Sequence, residues 1–283
     1  CMVTACPEKV DALRPLTHVV PSIEREKIPS LIHELAVMDQ ERQEPLSSEA
    51  TELVGPLRRT RPSLRIQDGC EMKCAYCAVP AGRGGNSSLS LDVVLQRARL
   101  LASEGAREVV ICGINLGAWG KDLEPKQTLV ELIEALDSER SVERFRLSSI
   151  EPWAMSSSVI ETFAQASNIA AHLHLPMQSG DDGILQAMNR PYRVARFRKI
   201  VDAILEARPE TAIGTDVIAG FPGEESGAFN KTVTVLESLP IAYLHAFGFS
   251  PRPGTKAAAM RQELSPQEIK ARVRALRELG QQK

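Results

Sequence analysis

The pattern that most limits the fold of this chain is a regular alternation of strand and helix signals from residue 63 onward. Short apolar runs predict strands at residues 65–67, 108–112, 144–147, 171–175, 212–217 and 242–249. Helices are predicted at residues 90–105, 128–137, 156–166 and 226–239, with two more helical patterns before the fifth strand and a last helix opened by a capping box at 265–268. Six consecutive βα units imply parallel strands with right-handed crossovers, hence an α/β barrel or part of one.

Polar, mostly glycine-containing loops follow all six predicted strands. They lie at residues 69–77, 113–115, 149–151, 177–180, 220–223 and 250–252. In (β/α) barrels such loops converge on the carboxyl rim, where the chemistry is assembled. The alternative for any single loop is that it is polar only because it lies at the surface. Six together, one of them rich in cysteine, favour a functional site.

One of these loops, DGCEMKCAYC, contains three of the six cysteines. Cys70, Cys74 and Cys77 can converge on one metal centre if the backbone loops. A zinc site needs four nitrogen or sulfur ligands, and the nearest further candidates in sequence are Cys112 and His33. A cubane iron–sulfur cluster held by three thiolates leaves one iron open to an outside ligand. Disulfides are disfavoured because cysteine is sparse in this chain.

The spacing Cys-x3-Cys-x2-Cys, with Tyr76 just before the last cysteine, resembles the signature loop of radical S-adenosylmethionine (SAM) enzymes. In that superfamily the open iron of a [4Fe–4S] cluster binds the amino and carboxylate groups of SAM, and an electron passed to the sulfonium releases a 5′-deoxyadenosyl radical. The resemblance implies a six-unit partial (β/α) barrel of the radical SAM type, with a [4Fe–4S] cluster and SAM as cofactors.

A narrower resemblance covers nearly the whole chain. The segments that carry it are RIQDGCEMKCAYCAVPAGRG, EVVICGINLGAWGKDL, FRLSSIEPW, HLHLPMQSGDDGILQAMNRPY, GTDVIAGFPGEE and HAFGFSPRPGTKA, in this order. They are similar to the radical SAM methylthiotransferases. The details after the second and third strands, and the RPGT sequence, look most like the branch that acts on N6-threonylcarbamoyladenosine at position 37 of tRNA.

This resemblance implies roles for individual residues. Cys70, Cys74 and Cys77 are the expected cluster ligands and catalytic residues. The residues expected to bind the cofactor are Tyr76, Gly113, Asn115, Glu151, Gln178, Arg190, Gly220 and Pro222, with Gly113 to Asn115 at the methionine end of SAM and Gly220 to Pro222 as a wall beside its adenine. The alternatives are that Glu151 only orders its loop, that Arg190 only pairs with a carboxylate such as Asp181, and that the glycines only serve turns.

The activity that the resemblance implies is methylthiolation of C2 of N6-threonylcarbamoyladenosine in tRNA. One SAM molecule would provide a methyl group to sulfur. A second SAM molecule would provide the radical that abstracts hydrogen from C2 of the adenosine. The implied partners are tRNA and an electron donor such as flavodoxin or ferredoxin, in the cytoplasm. Alternatives are the sister branches acting on isopentenyladenosine in tRNA or on a ribosomal-protein aspartate, and a non-catalytic iron–sulfur or zinc protein that binds RNA.

The first 39 residues predict a fragment of the α/β methylthiotransferase domain that precedes the barrel in this family. Strands are predicted at residues 2–4 and 18–20 and helices at 8–13 and 28–35, followed by a linker at 40–62 and the radical SAM domain at 63–283. The family's amino-terminal domain holds an auxiliary cluster with three cysteines, of which only Cys6 has a match here. A second [4Fe–4S] cluster is expected only if the missing ligands are supplied. The family's carboxy-terminal RNA-binding barrel is expected to be absent.

Composition and the remaining residues limit the possible functions less strongly. No apolar run of about 18 residues predicts a membrane span, and a formal net charge of −2 gives no global basic surface for nucleic acid. Cys112 is predicted to pack in the core, and His172, His174 and His245 to be interior hydrogen-bonded histidines. Two basic patches, for which a solvated face is the alternative, consist of Arg58, Arg59, Arg61 and Arg65, and of Arg193, Arg196, Arg198 and Lys199.

Overall fold

The structure, a computed structural model, describes residues 2–5, 18–21 and 60–283. Strands β1 (Met2–Ala5) and β2 (His18–Pro21) pair in parallel, which confirms the two strands predicted there. The predicted helices at residues 8–13 and 28–35, most of the linker, and Cys6 lie outside the described residues. The division of the chain into two domains therefore stays a prediction.

Six parallel strands form the main body. The strands that follow β2 are β3 (Ser63–Asp68), β4 (Ser87–Ser88), β5 (Glu108–Gly113), β6 (Arg144–Leu147), β7 (His172–His174), β8 (Ala212–Ala219) and β9 (Tyr243–Gly248). One sheet has the order β4-β3-β5-β6 and another β7-β8-β9, with β4 the only antiparallel member. The isolated bridges Phe145–Ile169 and Ser149–His174 connect the two sheets. Within the described part of the chain β9 does not pair with β3, which confirms the six-unit partial barrel.

Helices pack against one face of these two sheets. They are α1 (Val79–Arg83), α2 (Leu91–Ser103), α3 (Leu129–Ser138), α4 (Ser157–Gln165), α5 (Asp182–Ala187), α6 (Val194–Ala207), α7 (Ser226–Ser238) and α8 (Pro266–Gln281). The predicted helices agree with these bounds to within two residues. The capping box expected at Ser265 and Glu268 is present, and a second one at Thr128 and Glu131 begins α3.

Alternation along the strands separates an apolar outer face from a polar inner face. Val109 and Ile111 of β5, Phe145 of β6 and Ile213 of β8 are fully buried in the core formed with the helices. The intervening residues lie on the opposite, concave face. Residues on it that can ionise include Glu108, Arg144, Arg146, His172, His174, Asp216, Tyr243 and His245. The concave face is therefore polar, as expected of a surface that handles ligands.

Two short elements were not predicted from the sequence. Strand β4 has only two residues, and its position depends on distant side chains: the Ser88 N–H and hydroxyl both donate to the Asp122 carboxylate, at 2.8 and 2.6 Å. Helix α1 has five residues and no side-chain cap. Neither element is long enough to show a periodic pattern.

Two predictions about side-chain position are wrong. The side chain of His245 is 56% exposed, so it is not an interior histidine, whereas His174 is buried and His172 half-buried. Cys112 is only half-buried and lies outside the apolar core, because strand alternation places it on the concave face. Among the described residues, no helix is both long and apolar enough for a membrane crossing.

Candidate functional site

The loop after β3 carries the three cysteines, and a glycine makes its first turn possible. Gly69 has a φ of +67°, and a Cβ added there would lie 1.7 Å from the carbonyl oxygen of Gly85. Only glycine fits such a position. The next residue, Cys70, donates its N–H to the Gly84 carbonyl at 3.1 Å, so the start and the end of the cysteine loop are held together.

The rest of the loop is fixed by the segment that follows helix α5 and by Ala257, near the carboxyl end of the chain. The Ala75 N–H donates to the Met188 carbonyl at 2.9 Å, and the Ala75 carbonyl accepts from Ala257 N–H at 2.8 Å. Asn189, in a left-handed conformation with φ 58°, donates from Nδ2 to the Lys73 carbonyl at 2.7 Å. These contacts place the backbone around Cys74 against residues more than one hundred positions further along the chain.

The three cysteines are half-buried free thiols. Main-chain groups point at two of them, the Met72 N–H at Cys70 Sγ (3.4 Å) and the Val79 N–H at Cys77 Sγ (3.5 Å). Burial raises the pKa of the Cys77 thiol, and the charge of Cys70 raises it further because the two groups are neighbours. Burial also raises the pKa of Cys74, against the opposing effect of the Arg190 guanidinium.

Three thiols of one loop, two of which have a pKa raised by burial and by a neighbouring thiol, fit a metal centre. Ionising them together is unfavourable without a compensating cation, since burial and mutual repulsion both favour the neutral form. A bound metal centre supplies that positive charge and deprotonates its thiol ligands. The donor set is three sulfurs from a single loop, which suits a cubane cluster with one open position better than a closed zinc site.

Asn115 brings an unpaired acceptor to the edge of this loop. Its N–H donates to Gln67 Oε1 at 2.8 Å, and its Nδ2 lies 3.7 Å from Cys70 Sγ. Gln67 packs so closely on Gly113 that a Cβ at that glycine would lie 2.9 Å from Gln67 Oε1. Asn115 Oδ1 is buried and has no hydrogen-bond partner among the residues that the structure describes. A buried acceptor of this kind is costly unless a ligand donates to it.

Arg190 brings a buried positive charge to the other side of the loop. Its two terminal nitrogens donate to both oxygens of Glu151, one of them at 3.2 Å, and Nη1 lies 3.8 Å from Cys74 Sγ. The guanidinium lies 4.6 Å from the ring centre of Trp153 and 5.4 Å from that of Tyr192. Burial alone lowers the pKa of Arg190, but the Glu151 charge more than offsets this, so the pKa is raised. Arg190 Nε is buried and, within residues 60–283, has no hydrogen-bond acceptor for its N–H.

A cavity of about 320 Å³ opens beside the cysteine loop. Its lining comes from the loop itself and from the carboxyl ends of β7, β8 and β9: Tyr76, Gln178, Asp216, Ile218, Phe247, Gly248, Phe249, Ser250 and Arg252. Burial raises the pKa of the Tyr76 phenol, so this side chain is neutral. Gln178 adopts a left-handed backbone with φ 67°, which is uncommon for a residue other than glycine.

A second, larger groove of about 410 Å³ lies on the far side of Phe249. Its lining is mostly apolar, and Lys270 is its one ionisable side chain: Phe249, Pro251, Ala257, Ala258, Met260, Gln262, Leu264, Pro266, Ile269 and Lys270. None of its lining residues belongs to the cysteine loop, whereas Tyr76 of that loop lines the smaller cavity. The smaller cavity is therefore the candidate site.

The structure brings most of the predicted site residues together. Cys70 meets Asn115, Cys74 meets Arg190, Arg190 in turn binds Glu151, and Tyr76 shares the cavity with Gln178. Gly220 and Pro222 are buried at the end of β8 and do not line this cavity. Arg190 does pair with a carboxylate, as the alternative for it suggested, but the partner is Glu151 and not Asp181, which pairs with Lys231 at 2.8 Å.

Several residues of the site were not assigned from the sequence. Gln67 connects the cysteine loop to Asn115, and Trp153 and Tyr192 enclose the Arg190 guanidinium. Gln67 is nearly fully buried on a strand that leads directly into the cysteine loop, and a polar residue at such a position is the signal that could have identified it. Trp153 and Tyr192 carry no such signal, since large aromatic residues most often belong to the core.

Residues 64–236 match the Radical SAM superfamily, which is more than half of the chain. The chain belongs to the radical SAM superfamily. Members of this superfamily use a [4Fe–4S] cluster and SAM, so the thiol triad and the unpaired polar atoms around it fit the cofactors that the family implies. This confirms the expected cofactors and the resemblance on which they rested.

Curated relatives of this radical SAM protein are tRNA methylthiotransferases by name. The threonylcarbamoyladenosine tRNA methylthiotransferase MtaB of Aquifex aeolicus is 38% identical over 223 residues, covering 79% of this chain and 54% of the relative. The tRNA-2-methylthio-N6-dimethylallyladenosine synthase of Thermobifida fusca is 39% identical over 214 residues, covering 76% and 43%. The chain spans about half the length of the curated relatives it matches.

Solved structures with the same fold are also radical SAM enzymes. Coproporphyrinogen III oxidase (HemN) from Escherichia coli superposes with a TM-score of 0.59 at 15% identity, over 81% of this chain and 55% of that one. The radical SAM methyltransferase TsrM from Kitasatospora setae, solved with cobalamin and a [4Fe–4S] cluster, has the same score and identity over 70% and 38%. At this identity the likeness concerns the fold alone.

Proposed function

We propose that this chain carries out the radical SAM chemistry of a tRNA methylthiotransferase, with C2 of N6-threonylcarbamoyladenosine at position 37 as its target. The observation that carries the proposal is the arrangement of three half-buried thiols between a buried amide oxygen and a buried guanidinium, on a loop whose Tyr76 lines a cavity. The methylthiotransferase names of the curated relatives support the reaction class.

Cys70, Cys74 and Cys77 would hold the [4Fe–4S] cluster. The chemistry that the cluster and SAM supply together is reductive cleavage of the sulfonium and a carbon radical able to abstract hydrogen. The chain holds the reacting groups in place and keeps water away from them. Its own part in the reaction is therefore positional and electrostatic.

Asn115 and Arg190 are the residues that we assign to SAM. The unpaired Oδ1 of Asn115 is an acceptor suited to an ammonium group, and the unpaired Nε of Arg190 is a donor suited to a carboxylate. Glu151 holds the guanidinium by two hydrogen bonds, so Arg190 is oriented before any ligand binds. Gln67 likewise orients Asn115 before any ligand binds, because its side-chain oxygen accepts from the Asn115 backbone N–H.

The cavity beside Tyr76 is where we place the target base. Its volume is at the lower end of the range for small-molecule sites. Phe247, with 52% of its surface exposed, offers a ring face for stacking, as single-stranded RNA bases require. Arg252 provides a positive charge at the same cavity. The partners we propose are tRNA and an electron donor such as flavodoxin or ferredoxin, in the cytoplasm.

The substrate branch is the finer part of this proposal. The RPGT sequence and the loops after β5 and β6 support threonylcarbamoyladenosine, as do relatives of that name from Aquifex aeolicus and Thermotoga maritima. The second candidate is isopentenyladenosine, because relatives named for the dimethylallyl substrate match at similar identity.

Expression of the chain, joined to the amino-terminal and carboxy-terminal regions of a full-length relative that it does not span, in a bacterial strain that lacks its own methylthiotransferases tests the proposal. We expect mass spectrometry of tRNA nucleosides to detect 2-methylthio on threonylcarbamoyladenosine and not on isopentenyladenosine. The methylthio mark on isopentenyladenosine alone would move the protein to the sister branch. A Cys74→Ala variant is the control, since loss of a cluster ligand should remove either product.

A further inference from the structure

A cluster of titratable side chains lies on the concave face of β7, β8 and β9, away from the cysteines. It consists of His172 and His174 on β7, Asp216 on β8, and Tyr243 and His245 on β9. The registers His174–Gly214, Gly214–Tyr243 and Asp216–His245 bring these side chains to one patch of the sheet. None of them has a role in the function proposed above, apart from Asp216 as part of the cavity wall.

Three members of the cluster have the geometry of a metal site. His174 Nε2 lies 2.9 Å and His245 Nδ1 lies 3.2 Å from the same oxygen, Asp216 Oδ1. One ligand atom from each of these three residues lies within 4.8 Å of the other two. Two imidazoles and one carboxylate on one side of a site form a donor set typical of zinc and ferrous iron.

Tyr243 fixes the orientation of the buried ligand. Its hydroxyl lies 3.1 Å from His174 Nδ1, which leaves Nε2 directed at Asp216, and 2.8 Å from His172 Nε2. The ring can occupy this place because Gly214 lies beneath it, where a Cβ would approach the ring to 2.0 Å. Metal-binding histidines are held in this way by a second hydrogen bond from the far ring nitrogen.

The site is also accessible. Asp216 lines the cavity of about 320 Å³ that Tyr76 closes on the other side, and the side chain of His245 is 56% exposed. An ion can therefore reach the Asp216 carboxylate from the cavity. A buried structural site would be closed instead.

We propose that His174, Asp216 and His245 bind a single divalent transition-metal ion, separate from the cysteine triad. The ion is of borderline softness, such as zinc or ferrous iron, because nitrogen and oxygen donors are combined without sulfur. The site does not depend on the substrate branch or on the methylthiotransferase reaction. A hydrogen-bonded network without a metal is the competing explanation for the same contacts.

The test is zinc binding by the full chain after anaerobic cluster reconstitution, when the cysteines are occupied. Metal content is measured by plasma mass spectrometry after gel filtration, with iron counted in the same sample. We expect about one zinc ion per chain, with an unchanged iron content. A variant with serine at Cys70, Cys74 and Cys77 should still bind zinc, which separates this site from the cluster and keeps the test valid if no cluster forms.

Three substitutions locate the ion. His174→Ala, Asp216→Asn and His245→Ala should each weaken zinc binding by about 10-fold or more, and Tyr243→Phe by about 10-fold through lost orientation. The matched control is His172→Gln, which removes an imidazole from the same patch but leaves the three ligands in place. If His174→Ala does not fold, Asp216→Asn, which keeps the shape of the side chain, carries the test. Zinc retained equally by the ligand variants, or no zinc bound by the wild type, would overturn the proposal.

Discussion

Two buried glutamate–arginine pairs lie near the ends of the parallel strands, and they differ in how completely they are satisfied. Glu224 accepts from the Gly220 N–H at 2.8 Å and from Arg272 at 2.6 Å, and Arg272 also donates to the Glu224 carbonyl at 2.7 Å. In the other pair, Arg190 binds Glu151 by two hydrogen bonds, yet its buried Nε has no partner in the described part of the chain.

The surroundings of the two pairs also differ: the Arg272 pair is enclosed by structural contacts, whereas the Arg190 pair lies beside a reactive group. Arg272 connects helix α8 to the loop after β8, and its guanidinium lies over Phe229 at 5.1 Å. Arg190 has a cysteine sulfur at 3.8 Å, and its carboxylate partner Glu151 is 21% exposed, whereas Glu224 is 1% exposed. The comparison teaches that a buried ion pair by itself does not mark a site. A buried ion pair indicates a site when one of its hydrogen-bonding groups has no partner and a reactive side chain lies beside it.

The largest expected effect is on stability, at the satisfied pair. Arg272→Met leaves the Glu224 carboxylate buried without its partner, so we expect the free energy of unfolding to fall by about 3–5 kcal/mol. Urea denaturation measures this. SAM cleavage per folded molecule should not change, because Arg272 contacts no residue of the cysteine loop.

Arg274→Met is the matched control for that experiment. Arg274 is exposed on the same helix, and the free energy of unfolding should stay within about 0.5 kcal/mol of the wild type. Equal losses in the two variants, or loss of SAM cleavage in Arg272→Met, would remove the distinction between a structural pair and a site pair.

The next effect is on activity, at the unsatisfied pair. Arg190→Met should lower the rate of SAM cleavage about 100-fold, the loss typical of one oriented donor at a reacting centre. Its cost in stability should be smaller than that of Arg272→Met, because water can reach the partly exposed Glu151. The measurement is 5′-deoxyadenosine formed under reducing conditions, with iron content counted alongside.

Arg193→Met controls for a change of charge in the same segment, since that side chain is 73% exposed. Cleavage near the wild-type rate in Arg190→Met would make Arg190 a second structural residue. A loss of iron in parallel with activity would assign it to cluster retention and not to SAM.

The smallest effect is a pH dependence at the satisfied pair. Burial raises the pKa of Glu224, although the Gly220 N–H and Arg272 act in the opposite direction. A carboxyl group with a raised folded-state pKa stabilises the fold fully below its unfolded pKa of about 4.5, and this stabilisation is lost as pH rises through the folded value. Glu224→Gln does not titrate. The free energy of unfolding of Glu224→Gln should therefore increase relative to that of the wild type as pH rises above about 4.5. A difference between the two proteins that does not change with pH would contradict the assignment.

Sequence and structure agree best where the signal is local. Cys70, Cys74 and Cys77 are close in sequence, and the loops carrying Asn115 and Glu151 follow strands that the apolar pattern identified. The parallel order of the strands follows from the same alternation, because right-handed crossovers leave few other arrangements. The fold and the cysteine centre could therefore be predicted.

What could not be predicted depends on register between distant strands. The contact of Asp216 with His174 and His245 requires β7, β8 and β9 to be aligned, and a shift of one residue would turn these side chains to the other face. The pairing of Arg190 with Glu151 and not Asp181 depends likewise on how the loop after β7 folds over the loop after β6. Apolar periodicity contains no information of either kind.

The most direct test of the central claim is the iron content and SAM cleavage of Cys74→Ala beside Cys112→Ala. Both positions are half-buried free thiols, but only Cys74 belongs to the loop next to Arg190. After anaerobic reconstitution the wild type and Cys112→Ala should hold about four irons per chain and form 5′-deoxyadenosine, whereas Cys74→Ala should do neither. Iron retained in Cys74→Ala, or a wild type that binds zinc through these cysteines and cleaves no SAM, would contradict the account.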